Sequence, residues 1–401
     1  MTTKRSRKYL YEVDAMRIIF IFGVLLNHTT TAFAQSMNDA GGWAHMTLLA
    51  THLMIHFTRM GFMFMTGLVL TLNYYHQANW PTFFKKRFAG SGWPYLLWNF
   101  ILMVCALLVG VPGFSLSRFS STYLSAIMHG DQFYMYYILV TLQLYLLFPA
   151  LVWLFKRFDR QHGVILIISF LLQMMLMIGI KYGLPHVDRS NWLWWFKAYG
   201  VNVFSYQFYF IFGAFTSLHY QAVVAFIKRH AKVLASVTLA LGLGTIGYYF
   251  FNRQVLGLSH TAAVSPHQPY MLVYDTLMIA VVFGIGKMYA RWRQQGMPTW
   301  LDRLVRNGAK VSFGIYLDQT IGLAVLRFIL GFTHLPDWGY LVLIPIGYLL
   351  VLDISFAIAW FCYKVAPFGI LIGRPQVHLF NKKGMVAHDP TYHTAIRSTD
   401  K

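Results

Sequence analysis

Asp14, Arg17 and His28 stand in or at the edge of the first apolar stretch of this 401-residue chain. Arg17 and His28 are eleven residues apart. At about 100° per residue that is close to three whole helical turns, so both project from one face with about 16 Å between them along the axis. Asp14 precedes Arg17 by three residues and shares that face. An ionisable group at bilayer depth is unfavourable by roughly 2.5–3.5 kcal/mol on insertion scales, and it normally faces a bundle interior or a cavity. The chemistry such a face permits has a direction: a cation at one end holds a phosphate-bearing donor, and a neutral imidazole deeper in acts as a general base. Spacing alone fits a structural role equally, with Asp14 and Arg17 as an interfacial ion pair or topology signal and His28 as polar glue between helices.

His52, His56 and Arg59 share a face of a second span. Two histidines four residues apart can bind a metal, but the only further ligands in sequence are His45 or a remote aspartate, so no metal is expected. The expected role of this trio is to line the polar cavity that receives His28. Asp275, Asp318 and Asp353 lie in later spans and read as charge partners for Arg59 or Arg327 rather than as a proton path. Cys105 and Cys362 sit in apolar runs with no motif around them and read as packing residues.

The elements that must carry these residues are membrane helices. The chain is 57% apolar, 18% aromatic and 11% charged, against about 25% charged in an average soluble domain. Uncharged runs such as 18–38, 60–84, 88–117 and 132–155 are each long enough to cross about 30 Å of hydrocarbon. The pattern predicts an all-α, polytopic protein with about ten spans: 16–34, 51–73, 93–111, 134–155, 163–180, 198–218, 231–251, 269–288, 310–330 and 339–362. The membrane region extends over 1–363, followed by a polar tail, 364–401, expected to be only partly ordered. The basic stretch before Ile18 precedes a retained first helix rather than a cleaved signal peptide.

Of the 33 Lys and Arg residues, 24 fall in segments on the side of the termini and five on the opposite side. This positive-inside pattern puts both termini in the cytoplasm of a cell membrane, a bacterial one with the absence of a targeting peptide. It also accounts for the net charge of +20 through contact with anionic lipid, with no nucleic-acid partner required. Trp43, Trp93, Trp192, Trp194, Trp195, Trp300 and Trp338 gather at span edges as interfacial anchors. The loops near 112–132, 181–197 and 252–268 are the longest on the outer face and are candidates for contacting an external substrate.

Together these residues resemble the membrane-bound acyltransferase family 3. Tyr11-Glu12-Val13-Asp14-Ala15-Met16-Arg17, with His28 after ten intervening residues, is similar to that family's first-helix signature. Arg59 with Gly61 through Gly67 resembles its second-helix motif, with Thr66 where the family usually has Ser. Lys85-Lys86-Arg87-Phe88 with Pro94-Tyr95 resembles its basic loop into the third helix. Tyr136 through Pro149 resembles the aromatic span ending in Phe-Pro, and Ser312 through Leu317 the late Ser–Tyr motif. Two departures stand out. Asp318 and Gln319 follow where the family often has a histidine, and no extracytoplasmic hydrolase-like domain is expected, so a separate extracytoplasmic transferase is a candidate partner.

The resemblance implies transfer of an acyl group, commonly acetyl, from cytoplasmic acyl-CoA to a hydroxyl of a carbohydrate, cell-envelope polymer or small lipophilic acceptor. It implies Asp14, Arg17, Lys85 and Arg87 at the CoA head and His28 as the base. Arg59 and Tyr316 are its candidate oxyanion donors. The competing reading, a transporter or flippase of an envelope glycan precursor, predicts broken helices at matching positions of two related halves, and no internal repeat is evident in the sequence.

Overall fold

The computed structural model describes residues 9–76 and 79–374, and everything the described residues form is helix, turn or loop. The helices are α1 (Tyr11–Gln35), α2 (Trp43–Ile55), α3 (Phe57–Tyr74), α4 (Trp80–Val109), α5 (Phe119–His129), α6 (Tyr136–Arg157) and α7 (His162–Ile178). They continue with α8 (Trp194–Lys197), α9 (Gln207–Leu218), α10 (Tyr220–Arg229), α11 (Ala231–Phe250), α12 (His260–Ala263), α13 (Pro269–Gln294), α14 (Thr299–Gly331) and α15 (Asp337–Lys364). Local chemistry sets the ends. Asn79 accepts a hydrogen bond from the Thr82 amide at 3.0 Å to open α4. Gly110, at φ 74°, closes it in the left-handed conformation that a Cβ disfavours.

Among the described residues, nine helical stretches are long and apolar enough to cross a membrane, and a tenth follows if one bent pair counts as a single span. The protein is therefore an all-α, multi-pass membrane protein. Two predicted spans differ in detail. The one at 51–73 is longer, Trp43–Tyr74, and is interrupted at His56, whose amide bonds Leu53 O in a tightened turn at 3.1 Å. The one at 198–218 begins as short 3-10 turns and becomes regular only at Gln207, after which α9 and α10 meet at 100°.

His219, between α9 and α10, shares a 2.9 Å hydrogen bond with His162, which is anchored by Phe155 O at 2.8 Å. Of the expected tail, Lys364–Arg374 is described and turns back onto α4, where the Trp98 indole donates to Leu371 O at 2.8 Å. The rest of the tail, and the basic residues before Tyr9, lie outside the described residues. Trp43, Trp93, Trp300 and Trp338 are exposed, as interfacial anchors require.

α1 runs through the middle of the bundle. It packs against α2, α3, α13, α14 and α15, with one apolar cluster shared with α3 and α13 and another shared with α14 and α15. Small residues let its neighbours approach, the usual means of association where lipid removes the hydrophobic drive between helices. A Cβ on Gly61 would meet the Phe20 ring at 2.3 Å, and one on Gly286 would meet Glu12 O at 2.8 Å. The closest crossing joins α3 and α9. There a Cβ on Gly67 would lie 2.0 Å from Phe210 O and one on Gly213 1.9 Å from Phe64 O, so the two backbones touch. This crossing holds α3, and with it Arg59, at a fixed depth.

Candidate active site

α1, the α2–α3 break, the start of α6 and α14 converge on a narrow pocket of about 30 Å³. α1 contributes Val24, Asn27 and His28; the break contributes His56, Thr58, Arg59 and Phe62. Tyr134, Tyr136 and Tyr137 come from the entry to α6, and Tyr316 comes from α14. His28, Arg59 and Tyr316, chosen from sequence on three separate spans, thus line one cavity.

The His28 ring lies against Tyr134, with centroids 4.0 Å apart and planes 37° from parallel. Neither ring nitrogen makes a hydrogen bond among the described residues. Arg59 lines the pocket, where its guanidinium sits 4.7 Å above the Tyr136 ring in a cation–π contact and donates to the Tyr206 hydroxyl. His28 also feels the charges of Arg59 and Arg327, and no carboxylate lines the pocket. The field there favours a developing negative charge.

Tyr316 departs from the role assigned to it. Its hydroxyl donates to the Tyr134 carbonyl, and its ring packs on Tyr137 at 5.4 Å. A hydroxyl already spent on a backbone carbonyl is a structural donor, so of the two oxyanion candidates Arg59, whose five N–H groups exceed its bond to Tyr206, is the one with donors to spare. Asn27 adds one that sequence reasoning missed: its side-chain amide nitrogen is buried with no hydrogen-bond partner among the described residues.

Asp14 and Arg17 lie three turns away, at the end of the bundle where α1 begins. They make no ion pair among the described residues. Asp14 accepts from the Tyr9 hydroxyl at 2.7 Å instead, and Arg17, half-buried, carries no hydrogen bond of its own. Arg293 and Arg374 join Arg17 within electrostatic range of Asp14. Arg374 also neighbours Lys310, which in turn feels Arg306 and Lys364. From sequence these later cations read only as topology signals, because nothing there brings Arg374 to α1. Arg87 donates to the Tyr74 hydroxyl at 2.7 Å and stacks 4.7 Å over its ring, while Lys85 is exposed. The Arg87 segment meets this cluster through Gly90, whose carbonyl a Cβ on Gly373 would approach to 2.2 Å.

The remaining polar candidates do not assemble a second centre. His52 and His56 stand edge to face at 4.6 Å beside the pocket, and among the described residues no group of three His, Cys, Asp or Glu residues comes together as a metal site. Asp275 and Asp318 are fully buried while Asp353 is exposed. None of the three pairs with Arg59 or Arg327 among the described residues, contrary to the charge-partner expectation. Asp275 faces the Tyr209 hydroxyl at 3.5 Å. From the loop at 252–268, His267 lies 3.5 Å from the Tyr206 hydroxyl and within electrostatic range of Arg59.

The family model described as an acyltransferase domain matches residues 10–360. The chain belongs to this acyltransferase family. The match takes in every residue of the pocket and Asp14, Arg17, Lys85 and Arg87 at the basic end. The chain is also similar to proteins named probable poly-beta-1,6-N-acetyl-D-glucosamine export proteins from Staphylococcus aureus strains MSSA476, MW2 and N315. It is 20% identical to each over 379 residues, covering 93% of this chain and 98% of theirs. No solved structure matches this member of the acyltransferase family.

Proposed function

We propose that this acyltransferase moves an acyl group, acetyl in the simplest case, from acyl-CoA to a hydroxyl of an envelope carbohydrate. The observation that carries the reading is His28: an imidazole with both nitrogens uncommitted, in a carboxylate-free pocket beside Arg59, on the helix whose other end presents Arg17. The basic segments face the cytoplasm, so the CoA phosphates meet Arg17, Arg374 and Lys310, with Lys85 and Arg87 near the rim. The pantetheine arm follows the three turns of α1 between Arg17 and His28, a rise of about 16 Å.

In the transfer, His28 accepts the proton of the acceptor hydroxyl as its oxygen attacks the thioester carbonyl. The Arg59 fork stabilises the oxyanion that forms. Collapse of the tetrahedral intermediate breaks the carbon–sulfur bond, and the departing CoA thiolate takes the proton back from His28. The acceptor class we propose is a polymer of N-acetylglucosamine, the polymer for whose export the relatives are named.

Export is the second reading, and that same name favours it. The deciding experiment incubates the purified protein with radiolabelled acetyl-CoA and β-1,6-linked N-acetylglucosamine oligomers. Label transferred to the oligomer in a His28-dependent way supports the enzyme; oligomer flux through liposomes without acetyl-CoA supports export.

A further inference from the structure

A catalytic base is usually held in place by a third group that bonds its far nitrogen. His28 has no such group among the described residues. What touches its ring is Tyr134, and Tyr134 is held in an unusual way. Phe133 and Tyr134 adopt φ of 52° and 64°, a left-handed conformation that is an outlier for bulky side chains and persists only where surrounding contacts enforce it.

Those contacts come from one face of α14. The Tyr316 hydroxyl donates to the Tyr134 carbonyl. The Thr320 hydroxyl donates to the Phe133 carbonyl at 3.4 Å, and Arg327 donates to the Tyr134 hydroxyl at 3.1 Å. Positions 316, 320 and 327 are four and then seven residues apart, the spacing that returns a helix to the same side. The stack covers the face of the imidazole and leaves both nitrogens at its edge, where proton transfer occurs.

We propose that Tyr134 is the positioning residue for His28: its ring fixes the plane of the imidazole, and Tyr316, Thr320 and Arg327 fix the ring. The assignment rests on the reading of His28 as base. It also gives Tyr316 a role that replaces oxyanion binding, and it gives Arg327 a task at the pocket without contact to the reactants.

The test uses the full chain in detergent or nanodiscs. Tyr134→Asn tolerates the left-handed backbone but removes the ring, and Tyr134→Phe keeps the ring but loses the Arg327 bond. The readouts are kcat and KM for acetyl-CoA and acceptor, the thermal midpoint, and the His28 imidazole signal in histidine-labelled NMR spectra, assigned through His28→Ala. Tyr134→Asn should lower kcat about 100-fold, the scale of a misplaced reacting group, with both KM values and the midpoint held and the His28 signal displaced. Tyr134→Phe should recover most of the loss. Full kcat in Tyr134→Asn with an unmoved His28 signal overturns the assignment, as does an equal loss in both variants. Undiminished turnover in His28→Ala removes the base itself; a displaced His28 signal in Tyr134→Asn still registers the orienting contact in that event.

Discussion

The Arg59 guanidinium lies 4.7 Å above the ring of Tyr136 at the wall of the pocket, so the contact that shields the cation also holds its planar fork at that wall. An ammonium at that position would keep the charge but lose the planar fork. Arg59→Lys should therefore lower kcat by about 100- to 1000-fold, the scale seen for loss of an oxyanion donor, with little change in KM for acetyl-CoA. Steady-state transfer of labelled acetyl measures both quantities. A rise in KM for acetyl-CoA with kcat unchanged would show that Arg59 binds the donor rather than the developing charge.

His28→Ala should abolish transfer while leaving membrane levels of the protein normal, because the ring makes no hydrogen bond that the fold depends on. Quantitative immunoblotting beside the transfer assay separates loss of chemistry from loss of protein.

Arg17→Ala should weaken acetyl-CoA binding in calorimetry, and Arg17→Lys should recover only part of it, since a point charge cannot bond a phosphate bidentately. The affinity should also fall with added salt for the wild type, because this cluster is at the bundle end. Unchanged affinity in Arg17→Ala would sink the phosphate role.

Gly213→Ala should destabilise the bundle by about 1–3 kcal/mol or more, the cost of overpacking, because its Cβ would lie 1.9 Å from Phe64 O with both groups in rigid helices. Gly247→Ala, in α11 with nothing within 4 Å of the new atom, should be neutral or stabilising by up to about 1 kcal/mol. Thermal unfolding of the two variants side by side checks the contrast.

Much of this was legible in the sequence because it rests on local periodicity. The common face of Arg17 and His28 follows from helical geometry, and the spans follow from runs of uncharged residues. The features that escaped depend on partners distant along the chain. The hydrogen bond that His219 makes at the bend is to His162, 57 residues away. The left-handed Tyr134 needs Tyr316, 182 residues away, and no local signal marks an aromatic residue for that conformation. The missing Asp14–Arg17 pair is of the same kind, since Tyr9 and the cations of α13 and the segment after α15 decide what Asp14 faces.

The central position of α1 bears on how the protein is made. Chains emerge N-terminus first, so the helix carrying Asp14, Arg17 and His28 is the earliest to leave the ribosome, yet α13, α14 and α15 that enclose it are the last. Until they arrive, its polar face must be sheltered by the insertion machinery or by α2 and α3. The pocket closes only when Tyr316 reaches Tyr134, so a ribosome that stalls before α14 leaves a membrane-inserted chain with its histidine in place and nothing to hold it.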